Sequence, residues 1–183
     1  MKSIAVFFPG IGYHCDKPLL YYSRKLAVSG GYSECVNISY SYDGGDIRGN
    51  EVRMNEAFAC LLLQAERQLE SVNWTEYDRI LFISKSIGTV VATRYAARHI
   101  VNAGQVLYTP LKEAFECATE NAIVFIGDAD AWSDCSLIVR TSRDKGIPVY
   151  VYEGCNHSLE CSDAMRNIEI VKNVMELTND YIK

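Results

Sequence analysis

Apolar residues occur along this chain in short continuous runs separated by longer amphipathic stretches. Runs such as 4–8, 79–83 and 122–126 are almost entirely apolar, which is typical of strands that are covered on both faces of a sheet. Stretches such as 51–71 instead place apolar residues three or four positions apart, which is the spacing of a helix with one buried face. The runs and stretches therefore indicate a protein of alternating strands and helices.

The pattern predicts six strands. The predicted strands are 4–8, 35–40, 79–83, 105–108, 122–126 and 148–152, and the predicted helices are 17–29, 51–71, 87–101, 111–118, 132–144 and 161–182. Their alternation indicates a three-layer α/β/α architecture with a mostly parallel sheet of about six strands. Ligands bind beyond the carboxyl ends of the strands in such sheets, so we expect the functional residues there.

Composition and charge narrow the class of protein. The 183 residues, of which 49% are hydrophobic and 22% charged, fit a single domain spanning 1–183. The net charge is −5 and Lys and Arg do not cluster, so we expect no nucleic-acid partner. No apolar run approaches the roughly 18 residues of a transmembrane helix, so we expect no membrane span. The oligomeric state stays open.

Seven cysteines are present, an odd number with no CxxC pair. The N-terminal segment does not have the pattern of an export signal. Reduced thiols and a cytoplasmic location are therefore expected. No Cys or His pairs have the spacing of a zinc site, so we expect no metal.

A serine motif follows the strand predicted at 79–83. The sequence Ile83-Ser-Lys-Ser-Ile-Gly88 passes from a strand into a helix, which is the setting of a nucleophile elbow. An elbow needs small residues two positions before and after the nucleophile. Ser86 meets that rule, whereas Ser84 would place Phe82 in the crowded position. The alternative is that Ser86 only caps the helix that follows.

Carboxylates follow the strand predicted at 122–126. Asp128, Asp130 and Asp134 lie just beyond its end, where a carboxylate can orient a histidine. The alternative for these acids is capping of the next helix, which we expect for at least one of them.

His157 lies in a loop after the last predicted strand and is the best candidate for a general base. His99 falls within a predicted helix, and His14 precedes the serine motif in sequence. Serine, acid and histidine thus occur in one of the known orders of a catalytic triad, each just beyond a strand. The alternative for His157 is a solvated loop residue.

The loop after the first strand supplies a further element. Pro9-Gly-Ile-Gly-Tyr13 is able to turn tightly and to direct the backbone N–H of Ile11 at a developing oxyanion. The N–H of Ile87, at the start of a helix, is the expected second donor. The glycine pattern of a dinucleotide-binding loop is absent.

Three segments resemble those of the α/β-hydrolase fold: Ser84–Gly88, Gly127–Asp130 and Gly154–Glu160. The resemblance spans nearly the whole chain and implies that Asp130, rather than Asp128, is the acid of the triad. The sequence departs from the family where Ser84 replaces the usual first glycine and where Lys85 replaces a common histidine. The N-terminal antiparallel hairpin of larger members is not expected here.

Members of this family that have a lid over the active site usually carry it as an insertion after the strand that follows the elbow helix. Only the 13 residues 109–121 are available there, so we expect a minimal fold with no cap domain and an open site. An open site favours a small soluble ester or thioester. The expected rim residues are Tyr13, His14, Tyr108 and Trp132, each near a predicted strand end.

Together these features predict a serine hydrolase that acts on a small-molecule acyl substrate and needs no cofactor. Ser86 is the expected nucleophile, His157 the base and Asp130 the acid. A catalytically silent binding protein of the same fold and a serine peptidase or amidase are the alternatives.

Overall fold

The computed structural model describes residues 1–183 and contains one sheet in which all six strands run parallel. The strands are β1 (Ser3–Phe8), β2 (Glu34–Asn37), β3 (Arg79–Lys85), β4 (Gly104–Tyr108), β5 (Ala122–Gly127) and β6 (Val149–Tyr152). They lie in the order β2-β1-β3-β4-β5-β6. The predicted α/β class with a parallel sheet is confirmed.

Five α-helices cover the two faces of the sheet. They are α1 (Pro18–Ser29), α2 (Glu51–Gln68), α3 (Ile87–Arg98), α4 (Cys135–Asp144) and α5 (Ala164–Ile182). Successive residues of a strand point to opposite faces. In β1, for example, Val6 and Phe8 pack in the layer of α2 and α3, whereas Ala5 and Phe7 pack in the layer of α1 and α5. None of these helices combines the length and hydropathy needed to cross a bilayer.

The second strand is shorter than its predicted range of 35–40. Pairing of β2 with β1 ends at Asn37, and the chain then leaves the sheet. The backbones of Ser39 and Ser41 instead bond to the side-chain amides of Gln68 and Gln64 on α2. Side chains of α2, rather than a neighbouring strand, thus satisfy the hydrogen-bonding groups of this backbone.

The segment between β4 and β5 holds one short 3-10 helix, Lys112–Glu116, in place of the α-helix predicted at 111–118. It contains no inserted cap domain. The next helix, α4, begins later than the predicted residue 132 because the side chain of Asp134 caps it by accepting from the N–H of Leu137 at 3.1 Å.

Two glycines let the loops at the carboxyl edge approach each other closely. A Cβ on Gly88 would collide with the carbonyl groups of Phe8 and Pro9, and a Cβ on Gly127 would collide with the carbonyl of Cys155. The first contact joins α3 to the end of β1, and the second joins the end of β5 to the loop after β6. The strand order reverses between β1 and β3, and such a reversal opens a crevice at this edge.

Replacing Gly127 with alanine is expected to destabilise the protein by about 1–3 kcal/mol, because backbone atoms must move to admit the new methyl group. Urea unfolding followed by circular dichroism measures this difference. Gly12→Ala is the matched control, since a Cβ at Gly12 meets nothing within 4 Å. Equal midpoints for the two variants would show that the close contact of Gly127 is unimportant.

Candidate functional site

Ser86 occupies the turn between β3 and α3 in a backbone conformation that is rare for residues with a side chain. Its φ is 57° and its ψ is −128°. Such strain persists only where the surroundings enforce it, and it is common at functional sites. Ser86 is at the cap position of α3, but its side chain makes no capping hydrogen bond. Its Oγ instead lies 2.7 Å from Nε2 of His157.

The three aspartates after β5 have different partners. Asp130 Oδ2 lies 2.7 Å from Nδ1 of His157, and its Oδ1 accepts from the backbone N–H groups of Trp132 and Ser133 at 2.8 and 3.2 Å. Asp128 accepts from the N–H of Gly154, and the third aspartate caps α4. Asp130 is therefore the carboxylate that contacts the histidine, and its side chain is fully buried.

His157 connects the other two side chains into one hydrogen-bonded chain. Its side chain is 17% exposed. Burial lowers the pKa of the imidazole, and the positive charges of Lys85 and Arg48 lower it further, whereas Asp130 opposes this effect. The ring of Trp132 stacks on the imidazole with centroids 5.8 Å apart and planes 27° apart. The environment thus favours a neutral imidazole that is able to accept a proton from Ser86.

The loop that carries His157 is tied down on both sides of the ring. Asn156 Oδ1 accepts from the N–H groups of Ser158 and Glu160 at 2.7 and 3.2 Å. The carbonyl oxygen of His157 accepts from Nζ of Lys85 at 2.6 Å. The loop therefore has few ways to move without breaking hydrogen bonds.

The loop after β1 lies beside the serine. Gly10 and Tyr13 exchange two backbone hydrogen bonds, at 3.1 and 3.3 Å, which close a tight turn around Ile11 and use the N–H of Gly10. Ile87 is the first residue of α3, so its N–H has no acceptor within that helix. Both isoleucines line the same cleft as Ser86.

Ser86 and His157 open onto a cleft of about 380 Å³. Tyr13 and Trp132, which the sequence analysis places at the rim, both line it. The loop between β2 and α2 at residues 45–47 and Leu111 form another part of the wall.

The other two residues predicted at the rim, Tyr108 and His14, do not line this cleft. Tyr108 is fully buried in the layer of α1 and α5, where its hydroxyl bonds to Ser23 and Thr178 at 2.8 and 2.7 Å. The alternation of side chains along β4 turns it away from the edge. His14 is an exposed side chain beside Asp16 and lines no part of the cleft.

Sequence reasoning missed three contributors to the site. Lys85, which the sequence analysis notes only as a departure from the family, lines the cleft. Ile47 belongs to the wall, and Arg48 donates to the carbonyl of Ala131 at 2.6 Å, which ties the β2–α2 loop to the acid loop. The position of Lys85 directly before Ser86 was the one available signal. No arrangement of His, Cys, Asp or Glu suitable for a metal ion is present.

Comparisons with known proteins rest on structure, because no protein-family model and no curated protein matches this sequence. A serine hydrolase without a lid from Xanthomonas campestris superposes with a TM-score of 0.61 at 13% identity, over 98% of this chain and 82% of that one. Est1E from Butyrivibrio proteoclasticus gives 0.65 at 11% identity, over 99% and 88% of the two chains. An α/β serine hydrolase homologue from Coxiella burnetii gives 0.58 at 15% identity, over 96% and 84%.

These similarities extend over nearly the whole chain, and the relative without a lid agrees with the absence of a cap between β4 and β5. The protein therefore has the α/β-hydrolase fold, in a minimal form.

Proposed function

We propose that this protein is a serine hydrolase that cleaves small carboxylic esters or thioesters through an acyl-enzyme. The observation that carries the proposal is the continuous hydrogen-bonded chain from Ser86 Oγ through the His157 imidazole to the Asp130 carboxylate, with both links at 2.7 Å. In the proposal these residues are the nucleophile, the general base and the orienting acid.

In the first step, Ser86 Oγ attacks the carbonyl carbon of the substrate while its proton passes to Nε2 of His157. Asp130 accepts the hydrogen bond from Nδ1–H and stabilises the imidazolium that forms. The carbonyl oxygen becomes an oxyanion, and the N–H groups of Ile11 and Ile87 are the proposed donors to it. The position of Ile87 at the N-terminus of α3 adds the favourable field of the helix dipole.

The tetrahedral intermediate then collapses and the bond to the leaving oxygen or sulfur breaks. His157 returns its proton to that leaving group, which departs as an alcohol or thiol. Water attacks the acyl group on Ser86 with His157 again as base, and the acid is released. These steps need no metal and no organic cofactor.

The size of the cleft supports a small substrate. It measures about 380 Å³, and no cap domain extends it to enclose a long acyl chain. Est1E, one of the structural relatives, has been seen with ferulic acid bound, so this fold is able to hold a small carboxylic acid. A free acid is the product of ester hydrolysis, so we propose for this protein an ester or thioester with an acyl group of similarly small size.

Replacing Ser86 with alanine is expected to lower kcat for a short ester by about a thousandfold or more, because no nucleophile remains. A fluorophosphonate probe should label the wild type and leave Ser86→Ala unlabelled. Ser84→Ala is the matched control: Ser84 is the other serine of the motif, but it is buried and donates to the carbonyl of Val106. It is expected to keep both labelling and turnover.

Folded wild-type protein that neither takes up the probe nor hydrolyses any ester would contradict the proposal. That outcome would favour the alternative of a silent binding protein. Loss of labelling in Ser84→Ala, with Ser86→Ala still labelled, would show that Ser84 is the nucleophile. That result would also contradict the proposal.

A panel of esters, thioesters and amides with acyl groups of graded length tests the substrate class. Acetyl and butyryl esters or thioesters are expected to give higher kcat/KM than dodecanoyl ones, because a long chain gains little burial in an uncapped cleft. Steady-state rates with wild type and Ser86→Ala measure this. A clear preference for long chains would contradict the small-substrate proposal, and turnover of amides alone would indicate a peptidase or amidase.

A further inference from the structure

Lys85 is a buried lysine at the carboxyl end of β3, directly before Ser86. Only 1% of the residue is exposed. Burial of an ammonium group is costly unless hydrogen bonds or charges compensate for it, so such lysines are rare outside functional sites. The contacts of this side chain therefore need a specific explanation.

The side chain of Lys85 lies where three loops of the site meet. Lys85 directly precedes Ser86 in the chain, and its Nζ donates to the carbonyl oxygen of His157 at 2.6 Å. Its Nζ is also 5.0 Å from the ring centroid of Tyr13, and Tyr13 closes the tight turn with Gly10. One residue thus contacts the loops that carry the nucleophile, the base and the proposed oxyanion donors.

No carboxylate is within salt-bridge distance of Lys85, and the carbonyl of His157 is the hydrogen-bond acceptor of its Nζ. Burial lowers the pKa of Lys85 to about 7, against the more distant negative charges of Asp130 and Glu160. A purely structural role would not require a charged group here, because an apolar side chain of similar volume is often as stable.

We propose that Lys85 is a positioning residue that holds the backbone of His157, so that the imidazole stays within hydrogen-bond reach of Ser86. The proposal rests on the proposed hydrolase function. The hydrogen bond joins residues 72 positions apart, and it links the end of the nucleophile strand to the loop of the base. Without it, the hydrogen bonds of Asn156 still hold the loop together, but the backbone at His157 loses its link to β3 and the distance between Nε2 and Oγ is able to lengthen.

The charge of Lys85 has a second consequence for the same imidazole. The charged groups that face His157 are Asp130, Lys85 and Arg48, and the two cations disfavour the imidazolium. Removal of the Lys85 cation therefore raises the pKa of His157. Since His157 must be neutral to act as a base, the acid limb of the kcat/KM profile then moves to higher pH.

The test replaces Lys85 with methionine, which keeps the length and loses the donor and the charge. We expect kcat/KM for a short ester to fall about tenfold at the optimum, the loss of one hydrogen bond from a charged donor. The loss should be mainly in kcat, with KM nearly unchanged, and the acid limb should move to higher pH. Lys172→Met is the matched control, because Lys172 is an exposed lysine paired with Glu176 on α5.

An NMR titration of the His157 imidazole provides a readout that does not depend on turnover. Its pKa should be higher in Lys85→Met than in wild type or Lys172→Met. Unchanged titration and an unchanged pH profile in Lys85→Met, with the wild type active, would overturn the role of Lys85 and leave the hydrolase intact. An inactive and unlabelled wild type would overturn both proposals together.

If Lys85→Met does not fold, NMR measurements on the wild type test the role of Lys85. In protein with isotope-labelled lysine and histidine, the Nζ protons of Lys85 should be protected from exchange by the hydrogen bond to the carbonyl of His157, and the His157 signal should shift when Lys85 loses its proton. A Lys85 ammonium that exchanges as fast as that of the exposed Lys172, or a His157 signal that does not respond to titration of Lys85, would overturn the proposal.

Discussion

Parallel pairing of the strands is the constraint on which the site depends. Ser86 follows β3, Asp130 follows β5 and His157 follows β6, and these strands all end at the same edge of the sheet. A strand of five or six residues spans about 17–20 Å, so reversing one strand would carry its residue to the opposite edge. Parallel strand direction is therefore the first condition for the two hydrogen bonds through His157.

Close contact between backbones then refines this arrangement. Strand direction alone brings the loops to one edge, but a hydrogen bond of 2.7 Å demands much finer placement. Gly88 lets α3 rest against the end of β1, and Gly127 lets the loop of His157 rest against the end of β5. Ser86 accepts a strained backbone in the same small space. Because these two glycines have no side chain, the loops come close enough for Ser86, His157 and Asp130 to form hydrogen bonds.

The site combines burial with charge. The Asp130 carboxylate has no exposure, and the N–H groups of Trp132 and Ser133 satisfy the oxygen that His157 does not use. It therefore stays available as an acceptor for the imidazole. Lys85 adds a cation to the same buried region, which works against protonation of His157. The surroundings of His157 therefore favour its neutral imidazole.

Local pattern was enough to predict the six strands and the α/β class, and the alternation of strands with helices indicated the parallel sheet. The choice of Ser86 over Ser84 rested on the size of the neighbouring residues alone, and it remains a prediction. Local pattern left Asp130 to a family resemblance, because every nearby aspartate has a hydrogen bond to make and spacing does not distinguish them. It misplaced Tyr108, whose position at a strand end says nothing about the face to which it points. The sequence marked Lys85 as a departure from the family pattern but not its role, because its partner, the carbonyl of His157, is brought to it by folding. Contacts between segments far apart in sequence produce no local periodicity, so the sequence alone does not reveal them. These contacts bring the residues at the strand ends together into a site.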